Sequence, residues 1–302
     1  MRGKPQKTNG GGDYMKGWLV VNSFLHTNKF EEIYGFLKSA SARRGISLDI
    51  VRSSDILCDV EDSFSAFSKP DFVLFWDKDI MLAKRLEMAG LKLFNSASAV
   101  EICDNKALTA IALSGKVRTP RTVIAPKTFE GVNYCDKKFV SDAVQILGLP
   151  IVIKEVCGSF GAQVYLAEDL SEAECIADKI GYKDFIMQQF ISSSRGKDIR
   201  VNVVGGMAVC AMLRYNENDF RSNITNGGKM KRVELSAEFE DAAVAACNAI
   251  GLDFAGVDVL FGADGEPVVC EVNSNPHFKS SLECTGVDLS EYIIDYIAEK
   301  LV

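Results

Sequence analysis

The residues most suggestive of chemistry lie in FAGVDVLFGADGEPVVCEVN, which spans positions 254–273. Two runs of alternating side chains flank Asp264-Gly265, a pair that favours the two-residue turn of a β-hairpin. In that register Asp258 lies directly opposite Glu271, and Asn273 shares their face of the sheet two positions on. The other face would carry apolar side chains to the core: Val257, Val259, Phe261, Val268, Cys270 and Val272.

Two facing carboxylates on neighbouring strands destabilise the pair unless a cation lies near them. Two carboxylates and an amide oxygen form an all-oxygen set that suits Mg2+, which completes its shell with waters and phosphate oxygens. The hairpin therefore points to a nucleoside triphosphate. A solvated polar face whose charges pair with nearby Lys or Arg would give the same pattern, so the hairpin alone leaves both interpretations open.

A glycine-containing loop in IVIKEVCGSFGAQV, residues 151–164, is a candidate phosphate cradle. Lys154 closes an apolar strand, and Gly158, Ser159 and Gly161 follow it in a short loop. Glycines let backbone N–H groups approach an anion, and a nearby lysine neutralises phosphate charge. The loop has no Walker-type Gly-Lys-Ser/Thr and opens no helix, and a plain hairpin loop with a surface lysine would look the same.

Several arginines follow in two further segments. Arg200 lies in the alternating strand start GKDIRVNVV, and LRYNENDFRSNITNGGK adds Arg214, Arg221 and Asn223 ahead of a Gly-Gly pair. The planar guanidinium group suits phosphoryl and carboxylate oxygens, so these side chains could hold a transferring phosphate and an acid substrate. Surface ion pairs with the acidic excess of the chain would explain each arginine singly.

The elements that must position these residues follow from periodicity. From Gly17 to Gly90, apolar runs alternate with amphipathic segments in the βαβα rhythm of a small parallel sheet. Beyond Asn95 we expect two short helices, an edge strand at TPRTVIAP, a strand ending near Lys154, a helix over 171–180 and a strand DFIMQQF. A hairpin at Gly205-Gly206, a helix over 237–250, the acidic hairpin and a closing helix from Leu289 complete the α/β (α+β) fold.

Composition restricts the function classes. The 302 residues, 47% hydrophobic, are enough for about two domains with their own cores. A net charge of −7 and the lack of a Lys/Arg-rich run disfavour nucleic-acid binding. No apolar stretch reaches the roughly 20 residues that span a bilayer, and no signal peptide starts the chain, so we expect a cytoplasmic protein without a membrane partner. The nine cysteines, without a CxxC pair, should be buried free thiols.

In order and spacing, segments over roughly residues 95–300 resemble the RimK-like branch of the ATP-grasp ligase superfamily, whose members join amino acids to carboxyl groups. The matching segments are DNKALT, IVIKEVCGSFGAQV, MQQFI, GKDIRVNVVGG, LRYNENDFRSNITNGGK, and GVDVLF with VVCEVNSNP. The resemblance implies an ATP-grasp fold preceded by a small Rossmann-like parallel-sheet domain. We expect a disordered extension or tag at 1–14, the N-terminal domain at 15–94, the small lid subdomain at 95–190 and the metal- and substrate-binding subdomain at 191–302.

The resemblance also implies roles for individual residues. Lys106 and Lys154 would contact the phosphates of ATP, and the loop with Gly158, Ser159 and Gly161 would close over them. The main chain at Gln189, Phe190 and Ile191 would meet the adenine. Arg200, Arg221 and Asn223 would serve the transferring phosphate as catalytic residues. Asp258, Glu271 and Asn273 would hold two Mg2+ ions, for which Mn2+ could substitute.

These features together predict an ATP-dependent ligase that joins a small-molecule or peptide carboxylate to the amine of an amino acid through an acyl phosphate, releasing ADP and phosphate. RimK-like relatives often assemble, which leaves a homo-oligomer open, but the sequence does not fix the oligomeric state. The alternative is a regulatory protein that binds ATP in the same fold without ligation. The complete set of charged residues argues against it, because a protein that only senses ATP has no need of phosphate-transfer arginines.

Overall fold

Three β-sheets organise the chain. The computed structural model describes residues 15–56, 59–61, 69–158 and 161–301. The predicted extension at 1–14 and Ser159 of the glycine loop lie outside these residues. A parallel sheet comes first and two antiparallel sheets follow, so the predicted α/β class is confirmed.

The first sheet is parallel, with strand order β2-β1-β3-β4. It contains β1 (Lys16–Val21), β2 (Ser47–Arg52), β3 (Phe72–Trp76) and β4 (Leu93–Phe94), with helices α1 (Asn28–Arg43) and α2 (Ile80–Met88). All five side chains of β3 are buried, which is why this strand reads as a continuous apolar run rather than an alternating one. The βαβ rhythm predicted from the sequence is confirmed.

Two short helices, α3 (Ala97–Asp104) and α4 (Lys106–Leu113), lead to the second sheet, as predicted. The side chain of Asn105 accepts the N–H groups of Ala107 and Leu108, so α4 begins at Lys106. The second sheet is antiparallel in the order β5-β8-β6-β7, and the predicted edge strand is at its edge. Its elements are β5 (Thr122–Ile124), α5 (Lys138–Leu147), β6 (Ile151–Glu155), β7 (Val164–Ala167), α6 (Leu170–Ile180) and β8 (Phe185–Gln189).

The third sheet is antiparallel in the order β11-β10-β9-β12-β13. At the predicted hairpin, Gly205 and Gly206 have φ angles of 58° and 80°, the left-handed conformation that a tight turn between twisted strands requires. The elements are β9 (Lys197–Val204), β10 (Met207–Tyr215), β11 (Lys229–Arg232), α7 (Ala237–Ile250), β12 (Phe254–Phe261), β13 (Pro267–Asn273), α8 (Lys279–Thr285) and α9 (Leu289–Leu301).

The N-terminal sheet shares its core with the end of the chain. Side chains of α9, among them Ile293 and Ile297, are fully buried in one cluster with residues of β1, α1 and β3. Trp76 stacks on Phe254 with ring centroids 5.5 Å apart. The first and third sheets are therefore joined by a continuous apolar core.

Two predictions concern surface and solvent. No helix among residues 15–56, 59–61, 69–158 and 161–301 is long and apolar enough to cross a membrane.

The expectation of buried thiols is wrong for Cys135, Cys157 and Cys175, which are exposed, whereas Cys247 is buried. Cys135 and Cys157 lie outside helices and strands, and Cys175 lies on the exposed side of α6, so apolar neighbours in sequence did not imply burial.

Asn95 fastens the N-terminal unit to β12. Its fully buried side chain donates to the carbonyls of Phe254 and Ser274, both at 3.0 Å, and accepts the N–H of Asp253 at 2.7 Å. Asn95→Ala leaves these buried backbone groups without partners, so we expect the free energy of unfolding to fall by about 2–4 kcal/mol.

Chemical denaturation measures this loss. The matched control is Asn248→Ala, which removes an exposed amide from α7 and should leave the unfolding midpoint nearly unchanged. An equal midpoint for both variants would contradict the fastening role of Asn95.

Candidate active site

The acidic hairpin forms one edge of the third sheet. Asp258 pairs with Glu271 and Gly256 pairs with Asn273, as the sequence predicted. The predicted two-residue turn is wrong, because β12 ends at Phe261 and β13 starts at Pro267, and the Gly262 N–H donates to the Glu266 carbonyl at 2.7 Å. A register shift between Asp258 and Val259 offsets the longer loop, which is how the two acids still come to lie opposite each other.

The same register shift corrects the predicted core face. Val259 pairs with Val269, and both are buried in the core of the third sheet. Cys270 is the additional residue on β13, and its side chain points to the site instead, where the Lys154 ammonium lies 3.4 Å from its sulfur. The prediction that Cys270 belongs to the core face is therefore wrong.

Asp258 is buried between two guanidinium groups. Arg200 lies opposite it on β9 and donates from Nη2 to Oδ2 at 2.8 Å and from Nε to Oδ1. Arg214 Nη2 reaches the same Oδ2 at 2.9 Å. Burial acts to raise the pKa of the Asp258 carboxyl, but the two arginines outweigh it and hold the pKa below its usual range. Asp258 is therefore a carboxylate.

Arg214 links this pair to a second buried acid. It donates to Asp198 from Nε at 2.7 Å and from Nη2 at 2.6 Å, and the Ser222 hydroxyl donates to Asp198 at 2.6 Å. Burial acts to lower the pKa of Arg214, but Asp198 and Asp258 raise it above its usual value. Asp258, Arg200, Arg214 and Asp198 form a buried alternating network, which we call the ion lattice.

Glu271 and Asn273 are less confined. The Glu271 side chain is 37% exposed, and its Oε1 lies 3.9 Å from the Lys106 ammonium. The Asn273 amide nitrogen donates to the Gly256 carbonyl at 3.4 Å, which leaves its side-chain oxygen as an acceptor. Across the part of the chain that the structure describes, no three His, Cys, Asp or Glu side chains cluster as a metal site. The hairpin brings two carboxylates and one amide oxygen together, an oxygen set that fits Mg2+ sharing its shell with phosphate, although both oxygens of Asp258 are bound by arginines here.

Cations hold both described ends of the glycine loop. The Lys106 ammonium donates to the Gly158 carbonyl at 3.1 Å, and Arg221 Nη1 donates to the Gly161 carbonyl at 2.8 Å. Gly158 has a φ of 144°, and a Cβ there would lie 2.4 Å from the Gln163 side-chain oxygen. A larger residue would therefore fill the space beneath the loop. Lys154, predicted as a phosphate contact, is 8% exposed and lies on the same side.

An open cleft brings most of the predicted residues together. Of the predicted set, it is lined by Lys106, Lys154, Gly158, Gly161, Gln189, Phe190, Ile191, Arg221, Asn223, Asp258 and Glu271. Arg200 and Asn273 are not among the described residues that line it. Arg200 binds Asp258, which does line the cleft, and Asn273 lies on β13 two positions beyond Glu271, opposite Gly256. A cleft with this charged and polar lining suits a small-molecule ligand.

Sequence reasoning did not assign several residues of the cleft. Arg214 was predicted only as a contact for phosphate or an acid substrate, and Asp198 had no predicted role, because their partnership with Asp258 requires the register of β9, β10 and β12. Gln163 and Gln188 each have a buried side-chain oxygen with no hydrogen-bond partner within the described ranges. Such acceptors fit ligand N–H or O–H groups. In the sequence, the adjacent glutamines Gln188 and Gln189 were a signal for the role of Gln188.

Comparisons with known proteins agree with this geometry. A family model for the RimK-like ATP-grasp domain matches residues 103–297. The chain is 32% identical over 87% of its length to an uncharacterised Mycoplasma pneumoniae protein, the MG012 homolog, and covers 92% of it. It is 33% identical over 74% of its length to human N-acetylaspartylglutamate synthase A. It is 39% identical over 55% of its length to a probable alpha-L-glutamate ligase of Rhodopirellula baltica. The chain spans only 57% and 42% of the last two proteins.

Solved structures show the same fold. A RimK-domain ATP-grasp protein from Sphaerobacter thermophilus superposes with a TM-score of 0.69 at 21% identity, covering 93% of this chain and 98% of the other. The ATP-grasp ligase PsnB, solved with a variant of its minimal precursor, Mg and ADP, gives a TM-score of 0.69 at 18% identity, covering 96% and 99%. With the family match over the two later sheets and the cleft between them, the chain belongs to the RimK-like ATP-grasp ligases, an enzyme family that uses ATP and Mg2+.

Proposed function

We propose that this enzyme is a carboxylate–amine ligase that works through an acyl phosphate. The observation that carries the proposal is the arrangement of charges in one cleft. Asp258 and Glu271 lie side by side on β12 and β13, and Lys106 approaches Glu271 to 3.9 Å. Ligands for a divalent ion and counter-charges for a triphosphate are thereby adjacent, which is what phosphoryl transfer requires.

ATP would occupy the cleft between the second and third sheets. Lys106 and Lys154 lie on the side of the glycine loop and would contact the phosphates, with the loop closing over them. The buried oxygen of Gln188 would accept a hydrogen bond from the base or sugar, next to the main chain at Gln189, Phe190 and Ile191. We infer that Asp258, Glu271 and Asn273 hold two Mg2+ ions, which supply charge neutralisation at the phosphates.

The chemistry needs two displacements. An oxygen of the substrate carboxylate attacks the γ-phosphorus of ATP, the bond to the bridging oxygen breaks, and ADP leaves as the acyl phosphate forms. The amine then attacks the acyl carbon, phosphate leaves with the electron pair of the C–O bond, and the nitrogen gives up a proton. Arg221 and Asn223 lie at the cleft to face the transferring group, and Arg200 fixes Asp258 from below. A closed glycine loop keeps water from the acyl phosphate.

L-Glutamate is our candidate for the amine-bearing substrate. Two of the relatives described above are named for products or reactions of glutamate, and the chain aligns with both. The acid partner is a small-molecule or peptide carboxylate. Because ATP and free amino acids are abundant in the cytoplasm, we place the reaction there.

The direct test is ADP release by the purified protein with MgATP, L-glutamate and a panel of carboxylic acids, followed by mass spectrometry of the products. We expect ADP release that depends on one acid and on the amino acid, with a new amide in equal amount. ATP binding without any amide product across the panel would contradict the ligase assignment.

Glu271→Ala removes the more accessible carboxylate of the hairpin. We expect ADP formation to fall by at least about 100-fold. Without Glu271 the metal ion that neutralises the charge on the phosphates during transfer is no longer held in place. The fold should remain intact, since this side chain is 37% exposed. Glu234→Ala removes an exposed acid next to the third sheet and serves as the control. Equal turnover in the two variants would rule out the metal role of Glu271.

Lys154→Met tests the phosphate contact. The Lys154 ammonium is buried and, within the described residues, forms no ion pair with an acid, so a flexible apolar side chain should not lower stability by much. We expect the KM for ATP to rise about tenfold or more, because a charged contact to phosphate is lost. Lys38→Met, on the exposed side of α1, is the control in steady-state kinetics. An unchanged KM would place Lys154 outside the nucleotide site.

A further inference from the structure

A second polar cluster lies at the carboxyl ends of the parallel strands, outside the nucleotide cleft. In the order β2-β1-β3-β4 the chain leaves β1 towards one side for β2 and returns to the other side for β3. Open parallel sheets bind ligands at such a switch point, beyond the carboxyl ends of the strands. Arg52 ends β2 and Asp77 follows β3 at this edge, and Asn275 reaches the same place from the segment after β13.

Each of these three side chains has a buried atom without a hydrogen-bond partner in the described residues: Arg52 Nη1, Asp77 Oδ2 and Asn275 Oδ1. Asp77 is only 6% exposed. Its other oxygen accepts from the Lys78 N–H at 2.7 Å and from the Asn22 amide at 3.2 Å. Buried polar atoms are nearly always paired in proteins, so three such atoms from three separate segments mark this edge of the sheet as a candidate ligand site.

The three atoms define the chemistry of that ligand. Arg52 Nη1 is a cationic donor, while Asp77 Oδ2 and Asn275 Oδ1 are acceptors, one of them a carboxylate. A zwitterion with a carboxylate at one end and an ammonium group at the other satisfies all three. The three residues meet at one edge of the sheet: Val21 of β1 pairs with Arg52 on one side and with Trp76, the neighbour of Asp77, on the other, and the Asn275 amide donates to the Asp77 carbonyl at 2.9 Å.

The cluster is oriented towards the nucleotide cleft. Asn275 follows the hairpin residue Asn273 by two positions, a chain distance of at most about 7 Å. Lys78, next to Asp77, bonds to Asp104 at 2.5 Å, and Asp104 precedes Lys106 by two positions. Arg52 lies on the far side of β1, where its Nη2 donates to Glu31 at 3.2 Å. Asp77 and Asn275 are therefore joined to residues of the cleft through their chain neighbours, whereas Arg52 lies on the far side of β1.

We propose that this cluster is the amino-acid subsite: Arg52 binds the α-carboxylate, and Asp77 and Asn275 bind the amine and direct it to the acyl phosphate. The assignment rests on the proposed ligase function and adds the binding residues and the substrate class. Asp77 and Arg52 act on the amino acid alone, in contrast to Glu271 and Lys154, which act on the nucleotide.

The test separates the two half-reactions. Hydroxylamine traps the acyl phosphate as a hydroxamate without any amino acid, whereas amide formation requires L-glutamate. For Asp77→Asn and Arg52→Gln we expect the KM for L-glutamate to rise at least about tenfold, with the defect confined to the glutamate-dependent reaction. Asp49→Asn, exposed on β2 of the same sheet, should retain the wild-type KM. If the cluster holds only a buried water, both variants keep the wild-type KM for L-glutamate, and the proposal is overturned. It is also overturned if the variants lose hydroxamate formation as much as they lose amide formation.

Binding measurements test the subsite without turnover. Calorimetry with Mg2+ and a non-hydrolysable ATP analogue compares L-glutamate with glutarate, which lacks the amine, and with L-glutamate α-amide, which lacks the α-carboxylate. The wild type should prefer L-glutamate over both, Asp77→Asn should lose the preference over glutarate, and Arg52→Gln should lose the preference over the amide. Wild-type protein that turns over no acid yet shows this pattern would refute the ligase function and keep the subsite. Equal binding of all three ligands by the wild type would refute the subsite.

Discussion

A carboxylate held between two guanidinium groups underlies the architecture of the cleft. Removing an ion from water costs several kcal/mol even after relaxation, so Asp258 can stay buried and charged only while Arg200 and Arg214 remain beside it. Because these residues belong to three neighbouring strands, the ion lattice fixes β9, β10 and β12 in register. Asp258 is thus held as a carboxylate at the floor of the cleft. A metal ion that binds there must compete with the guanidinium groups of Arg200 and Arg214, which could bind phosphate instead.

Around this fixed floor the remaining charges are more adjustable. Glu271 is partly exposed, and the Lys106 and Arg221 side chains donate to carbonyls of the glycine loop. Phosphate oxygens are stronger acceptors for cations than neutral carbonyls, so the same two side chains can exchange loop contacts for ligand contacts. The cleft therefore combines a buried acidic floor with two cationic side chains, Lys106 and Arg221, which bind the ends of the glycine loop.

Periodicity and turn residues predicted most elements of the fold. Helices α6, α7 and α9 lie close to their predicted positions because each has a clear apolar face and an identifiable start or end. The facing of Asp258 and Glu271 was also predicted, although through a turn that does not exist, because a longer loop and a register shift offset each other. Local sequence patterns could not reveal that pair of compensating irregularities, nor that Cys270 would leave the core.

Contacts between distant segments were beyond prediction for a different reason. Arg200 and Asp258 are 58 positions apart, and Arg52, Asp77 and Asn275 come from three separate elements. Their meeting depends on the order of strands within sheets and on how the first sheet packs on the third. Arg52 and Asp77 lie outside the motifs of the family, whereas Asp198 and Asn275 lie within them, where the sequence alone gave them no role.

The core shared by the first sheet and the last helix has a consequence for biosynthesis. Leu19 and Leu74 are buried against a cluster that includes Ile293 and Ile297 of α9. As the polypeptide emerges from the ribosome, its opening β-α-β segment must wait with an uncovered apolar face until nearly the whole chain has been translated. The apolar core of the first sheet therefore cannot be completed before α9 has been synthesised.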